Sequence, residues 1–353
     1  MTVPRFNPAT AALLAAVAVV AVATLCSSCA HRTSAPGYTS AWQRFDRSQP
    51  EMGVPFRIVV YASNQVHATK AMGAAFARIE ELNAILSDYD TDSELSRLSR
   101  TSGQNTNVPL SADMWNVLSR SQQLAARTDG AFDITVGPMV NLWRKARREH
   151  QFPRADLLAQ ARNRVGWQKL HLNPRGRTAR LDVEEMRLDV GAIAKGYAVD
   201  EALKVLHTNG IRSALVSGAG DMAASAPPPG KPGWQIELAP LDVTNAPPAR
   251  FVQLSHAGLA TSGDMFQRVE LDGVRYSHIV DPRTGIGLTD HSLVTVIAPD
   301  CTTADSLATA VSALGPDAGL RLLRAQRGAE GRIIRATKSE GVVEVRTSPG
   351  FPP

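Results

Sequence analysis

The chain has 353 residues, 44% of them hydrophobic, and 38 basic against 33 acidic side chains leave a formal charge of +5. That length and apolar content support one large core or two subdomains and exclude a chain disordered throughout. The basic excess is small, and its densest run, Arg144–Arg148, is followed at once by Glu149; it reads as the solvated face of a helix, not as the basic stripe that a nucleic-acid partner requires.

The chain opens with an apolar run, Ala11–Leu25, preceded by Arg5 and free of acids. This pattern predicts a signal peptide over residues 1–28 and not a membrane span, which needs about 20 apolar residues. Ser27 and Ser28 stand directly before Cys29, an arrangement that resembles the lipobox of bacterial lipoproteins. Cys29 is therefore the expected lipidation site, with Cys26 as the other candidate, and the expectation is an exported, membrane-anchored lipoprotein facing the periplasm. Residues 29–52 are rich in Ser, Pro and polar side chains without helical or strand period, which predicts a flexible tether. The folded domain is expected over 53–348. It keeps one cysteine, Cys301, which reads as a small buried or turn residue because no partner is suggested nearby.

Within the domain, Phe56–Ala62 is a β-rich run, and Gln65–Leu86 carries apolar residues at helical spacing. Helices follow over Met114–Thr128 and Arg154–Val165, and strands within Leu170–Leu188 are broken at Asn173–Arg177. Ala192–Asn209 has helical spacing and ends on Asn209-Gly210, a left-handed stop. Strands are expected at Ala214–Val216, Trp234–Leu238, Phe251–Leu254, Gln267–Leu271 and Val274–Ile279, the last two joined by an Asp272-Gly273 hairpin turn. Leu293–Ala298 reads as a buried strand and Thr303–Leu314 as a helix. Arg332–Thr337 and Gly341–Thr347 form a closing hairpin. This mixed order of hairpins and helices predicts an α+β fold with antiparallel sheets and packed helices, not a doubly wound parallel sheet.

Three separated stretches carry the chemistry: Leu188–Ala202, His278–Gly285 and Ala304–Thr309. Asp305 and Thr309 stand four apart in an expected helix and so share a face, offering two hard oxygens. The bland reading of the pair is a helix-dipole acid and a packing residue. Asp189 and Lys195 flank Gly191 and Gly196 in a strand-to-helix turn, where backbone amides can face phosphate and a freed carbonyl can reach a metal. His278 can accept a proton, hold phosphate or satisfy a core hydrogen bond. Asp281–Gly285 and Asp129–Asp133 each read, alone, as turns. Ser217–Asp221 is glycine-rich but matches neither a dinucleotide fingerprint nor a Walker loop.

Taken together, Met52-Gly53, Ser87-Asp88-Tyr89, Asp129–Pro138, Leu188–Ala202, Ala260–Asp264, Ser277–Gly285 and Ala304–Thr309 resemble, in number and order, the ApbE family of FAD:protein FMN transferases, over about Met52 to Thr347. The resemblance implies a T-fold-like architecture, FAD as substrate, Mg²⁺ as cofactor, and transfer of FMN to a threonine or serine of an acceptor protein with release of AMP. It implies metal ligation by Asp305, Thr309 and the Ala192 carbonyl. FAD contacts are implied for Met52, Tyr89, Ala131, Phe132, Asp133, Asp189, Lys195 and Ile279, and catalytic roles for His278 and Asp305. The implied acceptor is an exported subunit of a redox complex. Where the family usually has paired glycines before an acid, this chain reads Gly218-Ala219-Gly220-Asp221. Two other readings stay open: a metal-dependent FAD pyrophosphatase giving FMN and AMP, and a non-catalytic FAD-binding lipoprotein.

Overall fold

The computed structural model describes residues 42–243, 246, 248–265, 267–337 and 342–353. The signal peptide, Cys26 and Cys29 lie outside the described residues. Trp42–Pro353 form one compact unit.

Its frame is a single eight-stranded antiparallel sheet: β1 (Gln43–Glu51), β2 (Val54–Ala62), β3 (Ser213–Gly218), β4 (Asp221–Ala224), β5 (Ala257–Gly263), β6 (Ser292–Ala298), β7 (Glu330–Ala336) and β8 (Val343–Thr347). The strands lie side by side in chain order. The helices are α1 (Gln65–Leu86), α2 (Glu94–Ser99), α3 (Ala112–Arg127), α4 (Gly137–Glu149), α5 (Ala155–Arg164), α6 (Ala194–Thr208) and α7 (Cys301–Ala325). The expected antiparallel α+β architecture is the one observed.

Strand alternation splits the core into two layers. Phe56, Ile58 and Val60 of β2 face α1, α6 and α7 in the main core, while Val59 packs the opposite face with Trp234, Ile236 and Leu254 of a separate hairpin. A third cluster joins Met139, Trp143 and Ala146 of α4 to Val269 and Leu271 of the Arg268–Leu271/Val274–Ser277 hairpin. That hairpin turns at Asp272-Gly273, both with positive φ.

Helix ends follow local chemistry. The Asn64 side chain accepts the His67 amide at the start of α1, whose bounds are those read from the sequence. Asp300 accepts from Thr303 at the start of α7. Gly315, with φ of 75°, and Pro316 break α7 into two helical pieces, so the helix expected to stop at Leu314 does break there before a second piece resumes.

Two expectations are corrected. The tether assigned to 29–52 does not extend to 52: Gln43–Glu51 is an edge strand paired along its whole length with β2 through the tight turn Met52-Gly53. An edge strand with most side chains in solvent has no alternation to betray it; backbone pairing holds it in place. The run Arg144–Arg148 is helical as read, but it is not simply a solvated face, because Arg144 turns inward to two carboxylates. Helix α2 was not legible, and of α4 only the stretch around Arg144–Arg148 was.

Candidate active site

Between the helical layer, the end of β5 and the His278 hairpin lies a cleft of about 970 Å³, within the range of small-molecule and cofactor sites. Its lining includes Met52, Tyr89, Ala131, Phe132, Asp133, Asp189, Ala192, Lys195, His278, Ile279, Asp305 and Thr309. Every described residue to which the family resemblance gave a metal, flavin or catalytic role thus lines one cavity. Arg283 does not join them: it pairs with Asp281 and donates to the Ala313 carbonyl.

The floor is set where α6 crosses α7. Asp200 of α6 accepts from the Cys301 and Thr302 amides and the Thr302 hydroxyl, at 2.9, 2.8 and 2.5 Å, capping α7 and fixing its start. Gly196 permits the crossing, since a Cβ there would stand 2.5 Å from the Cys301 carbonyl oxygen. One turn further along α7, the Asp305 carboxylate accepts the Gly196 amide at 3.0 Å. In an uninterrupted helix that amide would bond the Ala192 carbonyl; among the described residues no backbone amide donates to Ala192. Ala192 therefore offers a free carbonyl beside Asp305 and Thr309, and the Thr309 hydroxyl lies 3.2 Å from that of Ser262. Cys301 is buried and its thiol pKa is pushed up by burial, so it stays protonated as a packing residue.

Lys195 reaches Asp221 at 2.5 Å and Asp305 at 3.7 Å. Both carboxylates are nearly out of water. Burial, and then the charge of Asp221, push Asp305 up to about 7, against the pull of Lys195. Burial opposes the Lys195 charge, but Asp305 and Asp221 more than reverse that and raise its pKa. Two acids thus share one cation, an environment short of positive charge. Asp305, Thr309 and Ala192 supply three hard oxygens, the donor chemistry of Mg²⁺, which keeps its remaining positions for water and phosphate. Among the described residues no three His, Cys, Asp or Glu groups converge as a metal site, so a cation here draws on hydroxyl and carbonyl oxygens as well.

On the opposite wall, Arg144 pairs with Asp88 and, at 3.0 Å, with Asp189, and its guanidinium lies 4.3 Å from the centroid of the Tyr89 ring. Asp189 also accepts the Gly191 amide at 2.9 Å. Burial, and next the Asp88 charge, raise its pKa in spite of Arg144. Asp133 is committed locally: one of its oxygens accepts from the Thr135 amide and hydroxyl at 2.8 and 2.7 Å. Tyr89 is exposed at the rim.

His278 follows the Val274–Ser277 strand. Its backbone amide donates to the Gln267 carbonyl at 3.0 Å, and Nδ1 meets the same oxygen at 3.1 Å. A carbonyl can only accept, so this contact assigns the proton to Nδ1 and leaves the Nε2 lone pair free. The ring is open to solvent in the cleft but walled by protein on most sides; desolvation, and Lys195 nearby, lower its pKa from 6.5 despite the Gln267 bond. The imidazole is neutral at pH 7.

Sequence reasoning did not assign Arg144, Asp88, Asp221 or Ser262. Asp221 closes the glycine-rich stretch set aside as weak, Asp88 sits inside a marked motif, and Arg144 was hidden in its basic run.

A buried carboxylate–lysine cluster with oxygen donors on α6 and α7 thus faces a neutral histidine across one large cleft. The chain belongs to the ApbE family, whose model matches residues 52–333. It is 33% identical over 293 residues to a Haemophilus influenzae protein named FAD:protein FMN transferase, covering 80% of this chain and 84% of the relative. A Treponema pallidum protein of the same name is 30% identical over 323 residues, 86% of this chain and 88% of the relative. Among solved structures, the flavin transferase ApbE from Vibrio cholerae superposes with a TM-score of 0.77 at 28% identity, covering 88% of this chain and 98% of that one. The apo flavinyl transferase ApbE of Pseudomonas stutzeri gives 0.76 at 29% identity, covering 88% and 96%.

Proposed function

We propose that this chain is a FAD:protein FMN transferase, using Mg²⁺ to move FMN from FAD to a threonine or serine hydroxyl of an acceptor protein and releasing AMP. The observation that supports it most is the freed Ala192 carbonyl beside Asp305 and Thr309, set in the same cleft as Lys195 and a neutral His278. Asp305, Thr309 and Ala192 would hold the cation. When bound, Mg²⁺ supplies Lewis-acid neutralisation of charge on the pyrophosphate oxygens.

The chain's own groups do the rest. The acceptor hydroxyl oxygen forms a bond to the FMN-side phosphorus, the bond from that phosphorus to the bridging oxygen breaks, and AMP leaves with that oxygen. His278 Nε2 takes the hydroxyl proton. Lys195 adds positive charge beside the phosphates. Tyr89, Ala131, Phe132, Ile279 and Met52 give the flavin an apolar and aromatic wall, while Asp133 and Asp189 shape the polar side. Export, lipidation of Cys29 and a redox-complex acceptor belong to the same proposal; among the described residues no helix is long and apolar enough to cross a membrane.

The test is intact-mass spectrometry of an exported redox-subunit domain incubated with the protein, FAD and Mg²⁺, beside samples lacking metal or carrying Asp305→Ala. A metal-dependent gain of one FMN, with AMP released, is expected. FMN and AMP without an adduct would make the protein a pyrophosphatase, and intact bound FAD would make it a carrier. The mass of the mature N-terminal peptide tells Cys29 from Cys26.

A further inference from the structure

Arg332 lies in β7, in register with Thr295 on β6 and Thr347 on β8. Ile333 packs into the helix-side core, whereas Ile334 joins Leu241 and Leu293 on the other face. The two-residue period of a strand puts Arg332 on that second face. Arg332 is 3% exposed, and its Nε is out of water with no hydrogen-bond partner. Among the described residues no carboxylate pairs with it. The charge that does bear on it is another cation: burial, and then Arg250, lower the Arg332 pKa. Arg250 begins the Arg250–Leu254 strand, is half-buried, and likewise has no acid partner among the described residues.

A lysine in this position could shed its proton. Arginine cannot at any ordinary pH, and a buried unpaired guanidinium is among the most unfavourable groups a fold can hold. Arg332, with the half-buried Arg250 near enough for its charge to bear on it and no acid paired with either among the described residues, offers a fork-shaped donor set matched to an oxyanion. Hydroxyls complete the surroundings. Thr295 stands opposite Arg332, and its hydroxyl lies 3.1 Å from that of Thr261. Thr261 lines the flavin cleft. Register thus draws a polar row from the cleft wall to Arg332 across two strand spacings, about 10 Å.

We infer that Arg332 and Arg250, with Thr295 beside them, form a second anion site, distinct from the flavin cleft and one polar row away, that takes a phosphate or carboxylate group. Arg332 holds the anion from within the sheet face, and Arg250 closes over it from the hairpin. A cation already in place, partly covered and unable to neutralise itself, is prepared for such a ligand.

The experiment is thermal unfolding of the full chain titrated with inorganic phosphate and, separately, acetate, at ionic strength held constant with sodium chloride. Wild type, Arg332→Met, Arg250→Met and Glu340→Gln are compared; Glu340 is the only acid outside the described residues. A saturable rise in Tm of wild type is expected, and the ion with the lower midpoint identifies the ligand as phosphate or carboxylate. At ten times the dissociation constant the folding constant rises about 11-fold. Arg332→Met should lose the response and be no less stable than wild type without anion, while Arg250→Met should shift the midpoint about tenfold. If Arg332→Met does not fold, Arg250→Met carries the test. An equal response in wild type and both arginine variants would mean a general salt effect and overturn the inference. So would no response in wild type, and a Tm lowered by Glu340→Gln in wild type but not in Arg332→Met would then name an internal partner.

Discussion

Replacing Gly196 by Ala tests the claim that the proposed metal site is assembled by a helix crossing. The added Cβ would stand 2.5 Å from the Cys301 carbonyl oxygen and 2.8 Å from Asp305 Cβ, where ordinary contact begins near 3.4 Å. Backbone on one side and the root of a helical side chain on the other leave no flexible atom to yield, so α6 and α7 must part by close to 1 Å. Overpacking of this kind costs about 1–3 kcal/mol; the better helix propensity of Ala returns about 0.5–1 kcal/mol of it. The net loss lies between about 0 and 2.5 kcal/mol, centred near 1 kcal/mol, a fall of a few degrees in Tm at about 2–4 °C per kcal/mol. The same displacement lengthens the Gly196–Asp305 hydrogen bond and draws Asp305 away from Ala192 and Lys195. A misplacement of about 1 Å can cost about 100-fold in rate, so transfer activity should fall far more than stability. Gly73→Ala is the control: this α1 glycine has nothing within 4 Å of an added Cβ, and Ala there should stabilise by about 0.5–1 kcal/mol with activity unchanged. Scanning calorimetry, Mg²⁺ titration and single-turnover transfer read the three effects. Wild-type Tm, metal affinity and rate in Gly196→Ala would refute the reasoning.

Asp305→Ala should abolish Mg²⁺-dependent transfer while the chain stays folded; full activity at low Mg²⁺ would sink the metal assignment. His278→Ala should slow turnover by about 10²–10⁴-fold with FAD affinity largely kept, checked by flavin fluorescence titration beside single-turnover rates, and joint loss of both would recast His278 as a binding residue. Because burial lowers the His278 pKa from 6.5, its neutral form persists through that pH, and at saturating Mg²⁺, which holds Asp305 ionised against its tendency to titrate near 7, the acid limb of the rate profile should lie below pH 6.5. A limb centred above 6.5 would contradict the environment described. Arg144→Ala leaves Asp88 and Asp189 without their cation, a loss of about 3–5 kcal/mol for a buried pair, lower here because Arg144 keeps some solvent contact. Urea denaturation measures it, and a loss below about 0.5 kcal/mol would show the pairs to be surface-like.

What the sequence by itself determined was whatever local chemistry controls. Gln65–Leu86 was legible to the residue because its apolar spacing ends in a polar turn, and the Asn64 cap seen in the structure fixes its start. Asp305 and Thr309 were legible as a pair because four residues of helix put them on one face. Gln43–Glu51 was not, since an edge strand with most of its side chains in water carries no pattern of burial and exists only through its pairing with β2. Arg144 looked like a solvent residue because its partners Asp88 and Asp189 stand 56 and 45 positions away. The free carbonyl of Ala192 is the clearest case of a feature that tertiary structure alone decided. Local sequence would spend the Gly196 amide on Ala192 as the next helical bond. Only the packing of α7 against α6 brings a carboxylate from 109 positions along the chain to take that amide instead, and a backbone oxygen left without its helical partner has no signature in the amino-acid string.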